Sequence, residues 1–147
     1  MSESSGKLTA RLQEIVEDFG YVSGREKLEY LLEFADALPA LPDHLAGKRD
    51  EMDEVHECMT PVFIYLENDD DGKLRFHFDI PPESPTVRGF AEILRSGLNG
   101  ATPAELLDIP DLFYLDLGLG QVLTGQRLNG IGAILAHMKQ LVRDKYG

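Results

Sequence analysis

The chain has one cysteine in 147 residues, Cys58. A single thiol excludes an internal disulfide, and it falls short of the roughly four thiolates an iron–sulfur cluster usually needs. No apolar run approaches the roughly 20 residues required to span a bilayer. The opening segment MSESSGKLTA also lacks the apolar centre of a secretory signal. Basic residues are scarce: 14 Lys and Arg stand against 26 Asp and Glu, a formal net charge of −12. Phosphates attract Lys/Arg surfaces, so neither nucleic acid nor a membrane is an expected partner. The acidity serves solubility, or it complements a protein partner with a basic docking rim. One cysteine fits a reducing compartment, and the expected location is cytoplasmic.

What is present is ordinary for a soluble domain, with 43% apolar and 27% charged residues. We expect residues 1–6 to form a disordered tail and residues 7–147 a single domain. A first helix is predicted from Lys7 to Asp18, with Leu8, Leu12, Ile15, Val16 and Phe19 on one face and Gly20 as its stop. Ser23 and Glu26 have capping-box spacing for a second helix, which carries Leu28, Leu31, Leu32, Ala35 and Leu38 and ends at Pro39. Pro39 to Glu57 reads as a long surface connection with one short helical turn.

The period then changes. Val62 to Leu66 is a β-branched and aromatic run suited to a buried strand. Leu74, Phe76, Phe78 and Ile80 alternate with Arg75, His77 and Asp79, the pattern of a half-buried strand. Asn68 to Gly72 joins them as a hairpin. A short strand over Asp53–His56 pairs with this hairpin and leaves Cys58 at a tip between two strands. Further helices follow, capped at Ser84 with Pro85 in the first position, at Thr102 with a second capping box, and over Asp111–Leu117. A last helix is predicted from Thr124 to Lys145. With helices on both sides of a small three-stranded antiparallel sheet, the fold class is α+β.

Several chemical motifs fail on inspection. With Gly72 at the sixth position of a calcium loop, the twelfth would be Phe78, where a bidentate Glu is required. Gly118-Leu119-Gly120 follows no strand and has no third glycine at dinucleotide-binding spacing. His56 and Cys58, with His44 or His77, give one loose ligand pair where structural zinc sites show two, so no metal is expected. His137 on the last helix flanks the apolar stripe and reads as solvated surface, and no nucleophile elbow is present. Cys58 itself has two readings: a small packed hydrophobe, or a nucleophile on a loop that a partner can reach. Asp53, Glu54 and Glu57 disfavour the thiolate, and only a protonated His56 would favour it.

Four segments in order resemble the SufE family, the sulfur acceptors that work with cysteine desulfurases in iron–sulfur cluster assembly. They are Val55-His56-Glu57-Cys58-Met59-Thr60, Val87-Arg88-Gly89, Thr102-Pro103, and Leu123-Thr124-Gly125-Gln126-Arg127-Leu128-Asn129-Gly130. The resemblance implies a SufE/IscU-like fold in which Cys58 accepts the outer sulfur of a desulfurase persulfide. It implies a SufS-type cysteine desulfurase and a SufBCD-type scaffold as partners, no cofactor held by the chain itself, and no free-standing catalysis. Arg127 matches the arginine of the family's L-T-x-x-R-x-x-G motif, as support for the cysteine loop or as a surface ion pair. An alternative within the same resemblance is an adaptor that regulates a desulfurase without using its thiol. Many family members carry Gly before the cysteine and Ser two residues after it, where this chain has Glu57 and Thr60.

Overall fold

In the computed structural model the described residues are 8–56 and 60–146. The expected N-terminal tail and residues 57–59 lie outside them. The elements in chain order are α1 (Ala10–Gly20), α2 (Arg25–Ala37), a 3-10 turn (Arg49–Glu51), β1 (Asp53–Glu54), β2 (Phe63–Asn68) and β3 (Leu74–Asp79). They continue with α3 (Pro85–Leu98), α4 (Pro103–Leu107), α5 (Phe113–Asp116), a 3-10 turn (Leu119–Gln121) and α6 (Gly125–Tyr146). This is the expected α+β class with its three-stranded antiparallel sheet, in the order β1-β2-β3.

Local chemistry sets the element ends. Thr9 caps α1, accepting the Leu12 N–H at 3.2 Å, and its hydroxyl donates to the Gly97 carbonyl at 2.8 Å. At Thr102 the predicted capping box is complete: its hydroxyl accepts from Glu105 N–H and Glu105 accepts from Thr102 N–H. The box predicted at Ser23 does not form. Gly24, at φ +55°, turns the chain into α2 without any side-chain cap, and the Ser23 carbonyl accepts the Glu26 N–H instead. Leu38 is extended, as a residue before proline must be, and α2 ends there.

The hairpin register pairs Tyr65 with His77 and Glu67 with Arg75. Its turn is held by Asp69, whose carboxylate accepts from the Asp71 and Lys73 N–H groups, with Gly72 at φ +78°. Strand alternation then sorts the side chains. Ile64, Leu74, Phe76 and Phe78 are buried beneath the helices, whereas Arg75 is exposed and His77 and Asp79 are half-buried on the other face. Helices therefore flank the sheet in chain order but bury only one of its faces. The other is crossed by the connection after Pro39, which Leu45 anchors by burial and Arg49 by a bond to Asp79 at 2.6 Å.

Helix α3 is the element everything else rests on. Phe90, Ala91, Ile93, Leu94 and Leu98 are fully buried, and the helix packs against α1, α2, α6 and β3. Two glycines allow this crowding. A Cβ at Gly89 would stand 2.4 Å from the Leu31 carbonyl oxygen of α2, and one at Gly97 would stand 2.2 Å from the Leu12 side chain of α1. On α6 the stripe Ile131, Ile134, Leu135, Met138 and Val142 is buried. His137 is half-buried instead of solvated, and its Nε2 is buried without a hydrogen-bond partner among the described residues. Buried Lys139 donates to the Ile109 carbonyl and to Asp111 at 2.7 Å.

Two stability predictions follow from this packing. Gly89→Ala should lower the unfolding free energy by about 1–3 kcal/mol, because the atom it meets is backbone. Gly20→Ala, which meets open space, should be neutral or slightly stabilising. Urea midpoints at constant m-value measure both, and an unchanged midpoint for Gly89→Ala would refute the close approach. The second concerns Asp111, whose carboxyl is held below its ordinary value by the hydrogen bond and then the charge of Lys139. A depressed folded pKa adds stability above the unfolded value of about 3.9, and that stability is lost as pH falls through the folded pKa. Melting temperatures of the unmutated protein and Asp111→Asn should therefore differ at neutral pH and converge on acidification; a pH-independent gap would exclude a charge effect.

Candidate functional site

The strands flanking Cys58 in sequence are pinned to each other at their base. Glu54 pairs with Phe63, and the Val55 N–H donates to the Val62 carbonyl at 2.8 Å. Val55 and Val62 are both buried, so the chain leaves the sheet at Val55 and returns at Val62 from one fixed base. Cys58, the first expected site residue, falls with Glu57 and Met59 outside the described residues. Its neighbours on either side are described. His56 is well exposed and lies 3.9 Å from the Glu54 carboxylate. Thr60 turns the other way, into the fold, sharing a 2.7 Å hydroxyl–hydroxyl hydrogen bond with Ser84.

That contact explains why the predicted Ser84 cap is absent. Ser84 does occupy the N-cap position of α3, with Pro85 after it, but its side chain makes no capping bond. The hydroxyl instead joins the residue two places after Cys58 to the start of the most buried helix. One turn on, Arg88 donates to the Ile80 carbonyl at 2.7 Å, holding the end of β3 against the same helix.

Arg127, the second expected site residue, reaches this place from α6. Thr124 receives the Arg127 N–H at its hydroxyl, 3.3 Å away, and so fixes the first turn of the helix. The Arg127 guanidinium then donates from Nη1 to the Thr86 hydroxyl at 3.0 Å. This bond joins α6 to α3 across 41 residues of sequence. Thr60, Glu83, Ser84, Val87, Arg127 and Gly130 share the walls of one cleft of about 440 Å³. Of the two readings of Arg127, the described residues give it a hydroxyl partner on α3, Thr86, rather than a surface ion pair. Sequence reading missed Ser84 as a member of this wall and Thr86 as the partner of Arg127. Their only signal is their place at the start of α3, Ser84 at the N-cap position and Thr86 in the first turn, which reads equally as helix capping.

A second cluster lies on the sheet's outer face. His77 Nε2 is 2.5 Å from Glu67 Oε1, and His44 Nε2 is 3.1 Å from Glu67 Oε2. Partial burial pushes the Glu67 carboxyl up, but the hydrogen bonds from His77 and His44 outweigh it and hold the group below its ordinary value. The strand register, with Glu67 opposite Arg75 and so diagonal to His77, makes half of this pairing readable in sequence. His44 arrives on an irregular connection that no periodicity describes.

Comparison with known proteins matches the geometry to a family. The family model "SufE: Fe-S metabolism associated domain" matches residues 13–142. An uncharacterized SufE-like protein of Mycobacterium tuberculosis is 45% identical over 137 residues, covering 93% of this chain and 94% of the relative. The sulfur acceptor protein CsdE of Escherichia coli is 31% identical over 121 residues, covering 79% of each chain. The solution structure of a hypothetical protein from Thermus thermophilus superposes with a TM-score of 0.80 at 36% identity, covering 94% of this chain and 97% of that one. No helix among the described residues is long and apolar enough to cross a membrane. With a family match over nearly the whole chain and the fold to accompany it, the protein belongs to the SufE family, whose domain is associated with Fe–S metabolism.

Proposed function

We propose that this protein carries sulfur for iron–sulfur cluster assembly, accepting it on Cys58 from a cysteine desulfurase and stimulating that enzyme. The observation that carries the reading is the wall beside the cysteine segment: Thr60 is bound to Ser84, and the Arg127 guanidinium stands in the same cleft. Likeness to a sulfur acceptor protein supports it. The partners this reading calls for are a SufS-type desulfurase and a SufBCD-type scaffold, in the cytoplasm.

The step is a thiol exchange. The Cys58 thiolate attacks the outer sulfur of the donor's cysteine persulfide. The bond between the donor's two sulfurs breaks, and the donor cysteine departs as a thiolate that takes up a proton. Cys58 becomes a persulfide, the donor returns to a thiol, and no external oxidant or reductant is consumed. A second exchange of the same kind passes the sulfur onward. The protein thus holds a covalent intermediate without catalysing a free-standing reaction. Arg127 acts as a positioning residue: it ties α6 to the start of α3, and it sets positive charge in the cleft where an anionic sulfur must be accepted.

Incubation with a desulfurase and cysteine, followed by intact mass measurement, tests the acceptor. The unmutated protein should gain one sulfur atom, about 32 Da, by thiol exchange, and Cys58→Ser should gain none and lose the stimulation. Absence of the adduct together with equal stimulation by Cys58→Ser would overturn the carrier reading and leave an adaptor that works without its thiol.

Arg127 is tested separately by the rate of sulfur uptake against thermal stability. Arg127→Ala should slow uptake by about tenfold or more, because small misplacements of reacting groups cost at least that much. Its melting temperature should move little. Thr86→Val, which keeps the guanidinium but removes its anchor, should fall between the two. Equal uptake rates in all three proteins would exclude a role for Arg127 at the cysteine.

A further inference from the structure

We propose that His44, Glu67 and His77 form a binding site for one divalent first-row transition-metal ion on the sheet face away from the helices. Sequence spacing points to no such site, because His44 lies 33 residues before His77 on a connection without a period. The fold brings the three together. Each offers one ligand atom, and the three atoms all lie within 4.8 Å of one another.

The donor set suits the ion. Two imidazoles and one carboxylate match the nitrogen and oxygen ligands of zinc or iron(II), with coordination positions left for water. Two ligands at about 2.1 Å from one ion stand at most about 4.2 Å apart. The residual spread is closed by His44, whose side chain is 54% exposed on an irregular segment. Glu67 and His77, 2.5 Å apart as a hydrogen-bonded pair on adjacent strands, open by side-chain rotation to about 3 Å or slightly more when an ion replaces the proton between them.

The arrangement is convergent: both Nε2 atoms face the same carboxylate from different elements. The two rings meet edge to face at 6.0 Å, so neither blocks the other's approach to a shared centre. On binding, the ion replaces the hydrogen-bonded protons between imidazole and carboxylate, each ring presenting its Nε2 lone pair as the other neutral tautomer. A protein of net charge −12 also draws cations toward its surface. The consequence is a clip between the connection after Pro39 and the β2–β3 hairpin, independent of the sulfur-transfer reading.

Titration of the full-length protein with Zn²⁺ by calorimetry, and with Co²⁺ by visible absorption, tests the site. One equivalent should bind to the unmutated protein and equally to Cys58→Ser, without a thiolate-to-cobalt charge-transfer band. His44→Asn and Glu67→Gln should each weaken binding by more than about tenfold, since loss of even an outer-shell partner does so. His56→Ala should bind as the unmutated protein does. His44 is exposed, so His44→Asn should keep its fold, checked by circular dichroism. Absence of saturable binding would overturn the proposal. So would binding that survives both His44→Asn and Glu67→Gln, or binding lost with Cys58→Ser, which would place the ion at the thiol.

Discussion

The approach of α2 and α1 onto α3, set at Gly89 and Gly97, is the constraint on which the rest of the molecule depends. With Leu31's carbonyl oxygen 2.4 Å from where a Cβ would stand, no other residue fits at position 89 without displacing backbone. The contact buries α3 on several sides at once, and burial fixes where its N-terminus points. That N-terminus carries Ser84, Thr86, Val87 and Arg88, which together hold the Thr60 segment, the Arg127 side chain and the end of β3. The cleft is therefore held by core packing. A site whose parts come from separate elements keeps its geometry only if those elements cannot slide, and a close-packed glycine contact prevents sliding.

The parts of this fold that were legible in sequence are those in which local chemistry and global packing agree. Thr102-Pro103-Ala104-Glu105 reads as a capping box and is one, the Thr102 hydroxyl accepting only the Glu105 N–H among the described residues. Ser84 reads the same way, yet Thr60 claims its hydroxyl across 24 residues. Ser23 fails for another reason: the adjacent Gly24 adopts a positive φ that turns the chain one residue later. Alternation along Leu74 to Asp79 correctly assigned the buried face. It said nothing of what crosses the opposite face, since His44 and Arg49 come from a segment without a period. Arg127 was legible as a candidate through a motif, whereas its partner Thr86 was not. A hydroxyl within the first turn of a helix has no signature that separates a capping role from a tertiary one.

The chemistry of the cleft follows from what lines it. Among the described lining residues the hydroxyls of Thr60, Ser84 and Thr124, the amide of Gln126 and the guanidinium of Arg127 can all donate hydrogen bonds, against one carboxylate, Glu83. The Arg127 bond to Thr86 engages one of the guanidinium's five N–H donors. A donor-rich wall with one fixed cation favours an anion beside it, in a protein whose overall charge is strongly negative. Among the described lining residues there is no imidazole. Such a wall stabilises charge that has already formed; it does not generate it. In the carrier reading this matches a thiol that must be held as an anion at the moment of exchange and then carry an equally anionic persulfide.

The same reasoning bears on the carboxylates near Cys58. Asp53, Glu54 and Glu57 along the chain disfavour a thiolate in the free protein, and His56, exposed and already 3.9 Å from Glu54, offsets little of this. In the carrier reading those charges would become an advantage under a basic partner surface, which would neutralise the repulsion on the thiolate through the same contacts that steer docking. Reactivity tied to complex formation protects a thiol from adventitious exchange while free, since exchange rate follows thiolate fraction and access. The fixed base at Val55–Val62 and the Thr60–Ser84 bond set where the segment leaves and re-enters the fold. In the carrier reading, presenting the thiol then asks nothing of the core, whose packing already fixes both ends of the segment.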